Sequence, residues 1–108
     1  EGLMESCTSV SGSGPADVFL LAEELTRACV EASLPAELAT KLARETVAGS
    51  GELLHRSDLD SATLRQNVTS PGGTTAAALE VLMGKDGLQP LMIRAIAAAT
   101  KRSKELAK

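Results

Sequence analysis

From Val18 to Leu106 the apolar residues of this chain return every three or four positions, and nowhere do they alternate over a sustained run. That spacing is the helix's; a half-buried strand needs period two. The chain is therefore read as all-α, a bundle of about five helices. Its apolar residues are chiefly Ala, Leu and Val, and Phe19 is the one aromatic side chain among 108 residues. Alanine-rich helices bury little area apiece, and a domain this small has a thin core. Burial is expected to be completed by association into a helical oligomer.

Breakers divide the pattern. Ser11-Gly12-Ser13-Gly14-Pro15 is a turn cluster, with Pro15 suited to a first helical turn. Val18, Leu21, Ala22, Leu25, Cys29 and Ala32 then form the apolar face of a first helix, and Glu23, Glu24, Arg27 and Glu31 fill the other face. Cys29 reads as a small core residue. Ser33-Leu34-Pro35 ends this helix. The second carries Leu38, Ala39, Leu42, Ala43, Thr46, Val47, Leu53 and Leu54. Gly49-Ser50-Gly51 interrupts it, either as a kink or break or as a close crossing with another helix, which a second subunit could supply. Asp60 or Ser61 caps a short third helix holding Leu64 and Val68. Ala76 to Met83 makes the fourth, ended by Gly84-Lys85-Asp86-Gly87. The fifth runs from Leu88 to Leu106, with Pro90 in its first turn, where proline is tolerated.

Several chemistries are disfavoured. A net charge of −3 and a single aromatic argue against nucleic acid, which is bound by basic faces and stacking rings. The cluster Lys101, Arg102, Lys104 and Lys108 instead complements the negative pole of the last helix. No apolar run is long enough to span a membrane, and no signal peptide opens the chain. Glu1 in place of an initiator Met reads as a fragment or a processed product. Two cysteines, Cys7 and Cys29, do not make a disulfide scaffold and suit a reducing, cytoplasmic setting. The lone His55 has no ligand partner at metal-binding spacing, and Asp58 with Asp60 reads as a solvated loop. Ser11-Gly12-Ser13-Gly14 lacks the lysine of a phosphate loop, and no strand precedes it.

The segment Val68-Thr69-Ser70-Pro71-Gly72-Gly73-Thr74-Thr75 is different. Proline fixes a turn, and two glycines let the backbone approach a ligand. A helix follows, so its unpaired N–H groups and positive pole converge where an anion would sit. The plain reading is an ordinary N-cap. A cap needs one hydroxyl, however, and this turn carries four beside two consecutive glycines.

Taken together, Ser11-Gly12-Ser13-Gly14-Pro15-Ala16, the stretch from Leu64-Arg65-Gln66-Asn67 through Thr75, and the closing Ala97-Ala98-Ala99-Thr100-Lys101-Arg102-Ser103-Lys104-Glu105-Leu106 resemble the C-terminal domain of the pyrroline-5-carboxylate reductase family. The resemblance runs from about Thr8 to Leu106. It implies a fold like the C-terminal domain of 6-phosphogluconate dehydrogenase, assembled as an interlocked homodimer that some members stack into decamers. Residues 1–108 would then be the helical dimerisation and substrate-binding domain, without the N-terminal Rossmann domain that holds NADPH or NADH. The implied reaction is reduction of 1-pyrroline-5-carboxylate to L-proline, the last step of proline biosynthesis, and this part alone would be inactive. The resemblance further implies that the amides of Gly72, Gly73 and Thr74 bind the substrate carboxylate. Thr75 lies near the ring nitrogen as the catalytic residue, and Asn67 and Ser70 line the pocket.

The chain departs from the family pattern in places. Asp17 stands where an aromatic is usual, Asp58-Leu59-Asp60 replaces Glu-His-Pro, Met83 replaces a common Glu, and the turn from Gly84 to Gly87 is one residue longer. Two alternatives stay open at this stage. One is a helical oligomerisation module that kept the fold without the chemistry, and the other is a relative acting on another small imine or carboxylate.

Overall fold

A computed structural model of the chain describes residues 2–107; Glu1 and Lys108 lie outside them. Six helices follow one another: α1 (Gly2–Ser11), α2 (Gly14–Glu31), α3 (Ala36–Arg56), α4 (Ser61–Asn67), α5 (Thr74–Leu82) and α6 (Leu88–Leu106). The described residues contain no strand, as the apolar period requires. The five helices expected from periodicity are α2 to α6, and α1 is an addition. No helix is long and apolar enough to cross a membrane among the described residues.

The helices form two compact units. The first joins residues 2–13 to residues 59–107, and the second is Gly14–Asp58. The second is a helical hairpin in which α2 packs along α3. The α2 end is closed by Ser33, whose φ of 80° lies in the left-handed region. Ser33 N–H donates to the Val30 carbonyl at 2.9 Å and Leu34 N–H to that of Cys29 at 3.1 Å, satisfying carbonyls that the helix leaves open. Pro35 then stands at the N-cap of α3. Ala39 and Ala43, one turn apart on α3, are the buried apolar residues of the described chain. The helix runs unbroken to Arg56, through Gly49-Ser50-Gly51. Of the two readings weighed there, the break is absent, and a methyl group on either glycine would meet nothing within 4 Å in this chain. Cys29, expected in the core, is half-buried and free, and Cys7 is exposed and free.

In the first unit, α1 packs along α6. Among its described residues the one that is buried is polar: Ser9, 2% exposed. The Ser9 and Thr100 hydroxyls share a hydrogen bond of 2.8 Å. On α6, Lys104 lies in the last turn as the dipole argument anticipates, and Arg102 bonds Glu105 at 3.2 Å.

The stripes expected to form a core are largely uncovered within the chain. Val18 and Leu21 on α2, Leu38, Leu42, Leu53 and Leu54 on α3, and Leu88, Leu91 and Met92 on α6 are all exposed, and so, outside those stripes, are Phe19, Leu20 and Ile93. Phe19, the one aromatic side chain, is 69% exposed. The helical period was right about which residues are apolar neighbours; what they bury against is not in this chain. Exposed apolar surface on this scale marks an interaction face.

Candidate anion-binding turn

The turn between α4 and α5 belongs wholly to the first unit. Its approach is fixed by a cap. Asp60 Oδ1 accepts the Thr63 N–H at 2.8 Å and sits at the N-cap of α4. Hydrogen bonds from the Thr63 hydroxyl and N–H hold the Asp60 carboxyl below the usual aspartate range. Of the two capping candidates, Asp60 is therefore the one used. The α4 exit is tied by Thr69, whose N–H donates to the Gln66 carbonyl at 3.0 Å and whose hydroxyl donates to that of Arg65 at 2.6 Å.

Ser70-Pro71-Gly72-Gly73 is a type II turn by its residues and geometry. Pro71 takes the second position, Gly72 the third with φ of 72°, and the Gly73 N–H donates to the Ser70 carbonyl at 3.0 Å. The two glycines serve different ends. Gly72 supplies the left-handed backbone that other residues adopt at a cost. Gly73 supplies room, because a Cβ there would stand 3.3 Å from the Ser70 carbonyl oxygen.

Gly73 is also the N-cap of α5, and no side chain bonds back to the helix start. None of the four hydroxyls acts as the expected N-cap, and that of Thr69 is spent on Arg65. Thr74 and Thr75 occupy the first two helical positions, Thr74 exposed and Thr75 half-buried. The opening N–H groups of a helix have no acceptor one turn back, so those of Thr74 and Thr75 are donors available to a ligand. Ser70 and Gly72 are exposed beside them, and Asn67 closes α4 on the approach, also exposed. The six residues singled out in the sequence thus fall on one helix–turn–helix passage of nine residues, from 67 to 75.

Chemically the passage offers neutral donors, a helix pole and hydroxyls, and no ionisable side chain. It can hold an anion and orient a polar atom, but it has no acid or base of its own near neutral pH. No cluster of three or more metal-ligating side chains occurs among the described residues. The role of Thr69 was not legible in sequence, since any of four hydroxyls could have made its bond. Ser9 and Thr100, 91 residues apart, offered no signal of their contact.

Comparison with known proteins bears on this geometry. Residues 1–106 match the family described as pyrroline-5-carboxylate reductase dimerisation. Among curated relatives, the pyrroline-5-carboxylate reductase of Synechocystis is 47% identical over 108 residues, which is all of this chain and 40% of that protein. The Arabidopsis thaliana enzyme is 42% identical over 98% of this chain and 38% of its own length. A solved pyrroline-5-carboxylate reductase from Coxiella burnetii superposes with a TM-score of 0.92 at 42% identity, covering 100% of this chain and 40% of that one. The Plasmodium falciparum enzyme, solved with NADP bound, gives 0.90 at 37% identity over 100% of this chain and 41% of that one. The chain therefore spans about 40% of the length of the relatives it matches.

Proposed function

Because the chain belongs to the pyrroline-5-carboxylate reductase dimerisation family, we propose that it is the dimerisation and substrate-binding part of an enzyme that reduces 1-pyrroline-5-carboxylate to L-proline with NADPH or NADH. The observation that carries the site is the uncapped start of α5: a glycine-built turn delivers a helix pole with no side chain closing it.

The substrate is a cyclic imine bearing a carboxylate. Its carboxylate is held by the backbone donors of the Gly72-Gly73-Thr74 segment at the positive pole of α5. The Gly73 N–H already closes the turn onto Ser70, so Gly72 and Thr74 are the first donors and Gly73 is shared. The Thr75 hydroxyl lies on the next helical position and meets the ring nitrogen, where it accepts or donates one hydrogen bond. A threonine hydroxyl is too weak an acid to protonate an amine by itself, so Thr75 orients the imine. Asn67 and Ser70 line the approach. Reduction adds a hydride to the imine carbon and a proton to the nitrogen, giving the secondary amine.

The hydride donor is not held by these residues. A dinucleotide is bound at a strand-to-helix turn, and the described residues contain no strand. The nicotinamide nucleotide supplies the hydride from the part of the enzyme beyond this chain, consistent with the share of its relatives that the chain spans. The partner is a second copy, supported by the exposed apolar faces of α2, α3 and α6. Two free cysteines suit a reducing, cytoplasmic setting.

The test is oxidation of NADPH or NADH by the full-length protein with 1-pyrroline-5-carboxylate, with proline measured as product. Turnover to proline is expected. A folded, nucleotide-binding protein without turnover would overturn the reading in favour of another imine or a scaffold.

A further inference from the structure

Ser11, Thr26, Thr40 and Thr46 each donate a hydroxyl to the carbonyl four residues back, at 2.7–3.0 Å. All four sit in helices, where helix geometry brings that carbonyl within reach. Thr69 makes the same bond, to Arg65 at 2.6 Å, from outside a helix, since α4 ends at Asn67. Here the bond is not a by-product of helical backbone. Had α4 continued, the Thr69 N–H would donate to the Arg65 carbonyl. It donates to Gln66 instead, at 3.0 Å, and the hydroxyl stands in for it at Arg65. The Arg65 carbonyl also accepts the Val68 N–H, at the longer 3.3 Å. Thr69 and Arg65 are both half-buried. They belong to one chain and lie four residues apart, so their bond needs no second copy to form it.

The residue after Thr69 is Ser70, whose carbonyl accepts the Gly73 N–H and closes the turn that opens α5. What fixes Thr69 therefore fixes the anchor of that turn. We propose that Thr69 is a positioning residue for the imine. Its hydroxyl ends α4 at Asn67, and so sets Asn67 against Ser70 and the opening N–H groups of α5. Without the hydroxyl, the Thr69 N–H is drawn back to the Arg65 carbonyl, its α-helical acceptor. α4 then gains a residue, Ser70 swings round with it, and the Ser70 carbonyl no longer meets the Gly73 N–H. Asn67 on α4 and the carboxylate donors on α5 cease to converge. The role toward substrate rests on the reductase reading; the clamp on the passage rests on its hydrogen bonds alone.

The test uses the full-length protein with Thr69→Val, which keeps the branched shape and removes the hydroxyl, and Thr69→Ser, which keeps the hydroxyl. Thr69→Ala takes the place of the valine should that variant not fold. Imine kinetics, nucleotide affinity and amide hydrogen exchange across residues 67–75 are measured on each. The valine variant is expected to raise KM for 1-pyrroline-5-carboxylate about five- to tenfold, the worth of one misplaced hydrogen bond. kcat is expected to move less, because Thr75 travels with the α5 donors that hold the carboxylate. Nucleotide affinity is expected to stay at the parent value, and the Gly73 amide to exchange about fivefold faster. Serine is expected to return KM and exchange toward the parent. An unmoved KM in the valine variant overturns the proposal. A serine variant as impaired as the valine also overturns it, by assigning the effect to the lost methyl. So does an equal loss of nucleotide affinity, which marks general damage. A parent protein that turns over no imine removes the reductase reading instead, and exchange then decides. An unchanged Gly73 amide in the valine variant overturns the clamp, and faster exchange reversed by serine upholds it.

Discussion

Diluting this protein is expected to unfold it. A compact monomer of this mass, 11.1 kDa, exposes about 5,700 Å² by the scaling of folded proteins. The chain exposes 8587 Å², about 2,900 Å² more than that scaling allows. Two chains covering this excess would bury about 5,800 Å², in the range of obligate homodimers and well above a transient contact. With somewhat over half of it apolar, at about 25 cal/mol/Å², the missing burial is on the order of 40 kcal/mol per chain before ordering costs. Net domain stability is about 5–15 kcal/mol, so a chain without that burial lies on the unfolded side. Helicity and dimer fraction should therefore fall together, with one midpoint, as concentration drops. Far-ultraviolet circular dichroism and analytical ultracentrifugation on the same dilution series read the two quantities. Leu91→Ala sharpens the test. If a partner covers this half-exposed leucine, truncation costs about 2–5 kcal/mol and moves the midpoint to higher concentration. If it remains at the surface, the cost is within about 0.5 kcal/mol. A monomer that keeps its helicity at nanomolar concentration would refute the reasoning.

In the full-length protein, Thr75→Ala is expected to lower imine reduction while nucleotide affinity, measured by fluorescence titration, stays unchanged; wild-type turnover would remove Thr75 from the site. Gly72→Ala places a Cβ at a φ of 72°, which costs roughly 1–2 kcal/mol, and is expected to raise KM for the imine through a distorted turn. An unchanged KM would separate the turn from substrate binding. The Asp60 carboxyl, lowered by Thr63, contributes its cap above the ordinary aspartate range and loses it as pH falls through the lowered value. Asp60→Asn, which keeps a capping oxygen, should therefore flatten the acid limb of stability below about pH 4, read by thermal melts against pH.

The reach of sequence reasoning varied along the chain for identifiable reasons. Helices α2, α3 and α6 were legible because their apolar residues keep helical spacing over four turns or more. α1 was not. Its sequence, Gly-Leu-Met-Glu-Ser-Cys-Thr-Ser-Val-Ser, carries four hydroxyl residues that favour turns, and Leu3, Cys7 and Val10 make an apolar stripe only two turns long. Contact with α6, 91 residues away at Ser9, accompanies its helical form. Gly49 and Gly51 were weighed as a break because each costs about 1 kcal/mol in a helix. They sit inside a helix of 21 residues, whose other positions outweigh that cost. The turn was found because its glycines and proline leave few conformations. Which hydroxyl bonds which carbonyl was not found, since that is decided by rotamers within one helical turn.

The first unit is sewn from the two extremes of the chain, with the α2–α3 hairpin synthesised in between. The hairpin closes on neighbours and can form as soon as it leaves the ribosome. α1 has no such neighbour. At about 5–20 residues per second it waits on the order of 5–20 s after its own synthesis for Thr100 to appear. Through that interval Ser9, buried in the finished unit, has no α6 to pack against.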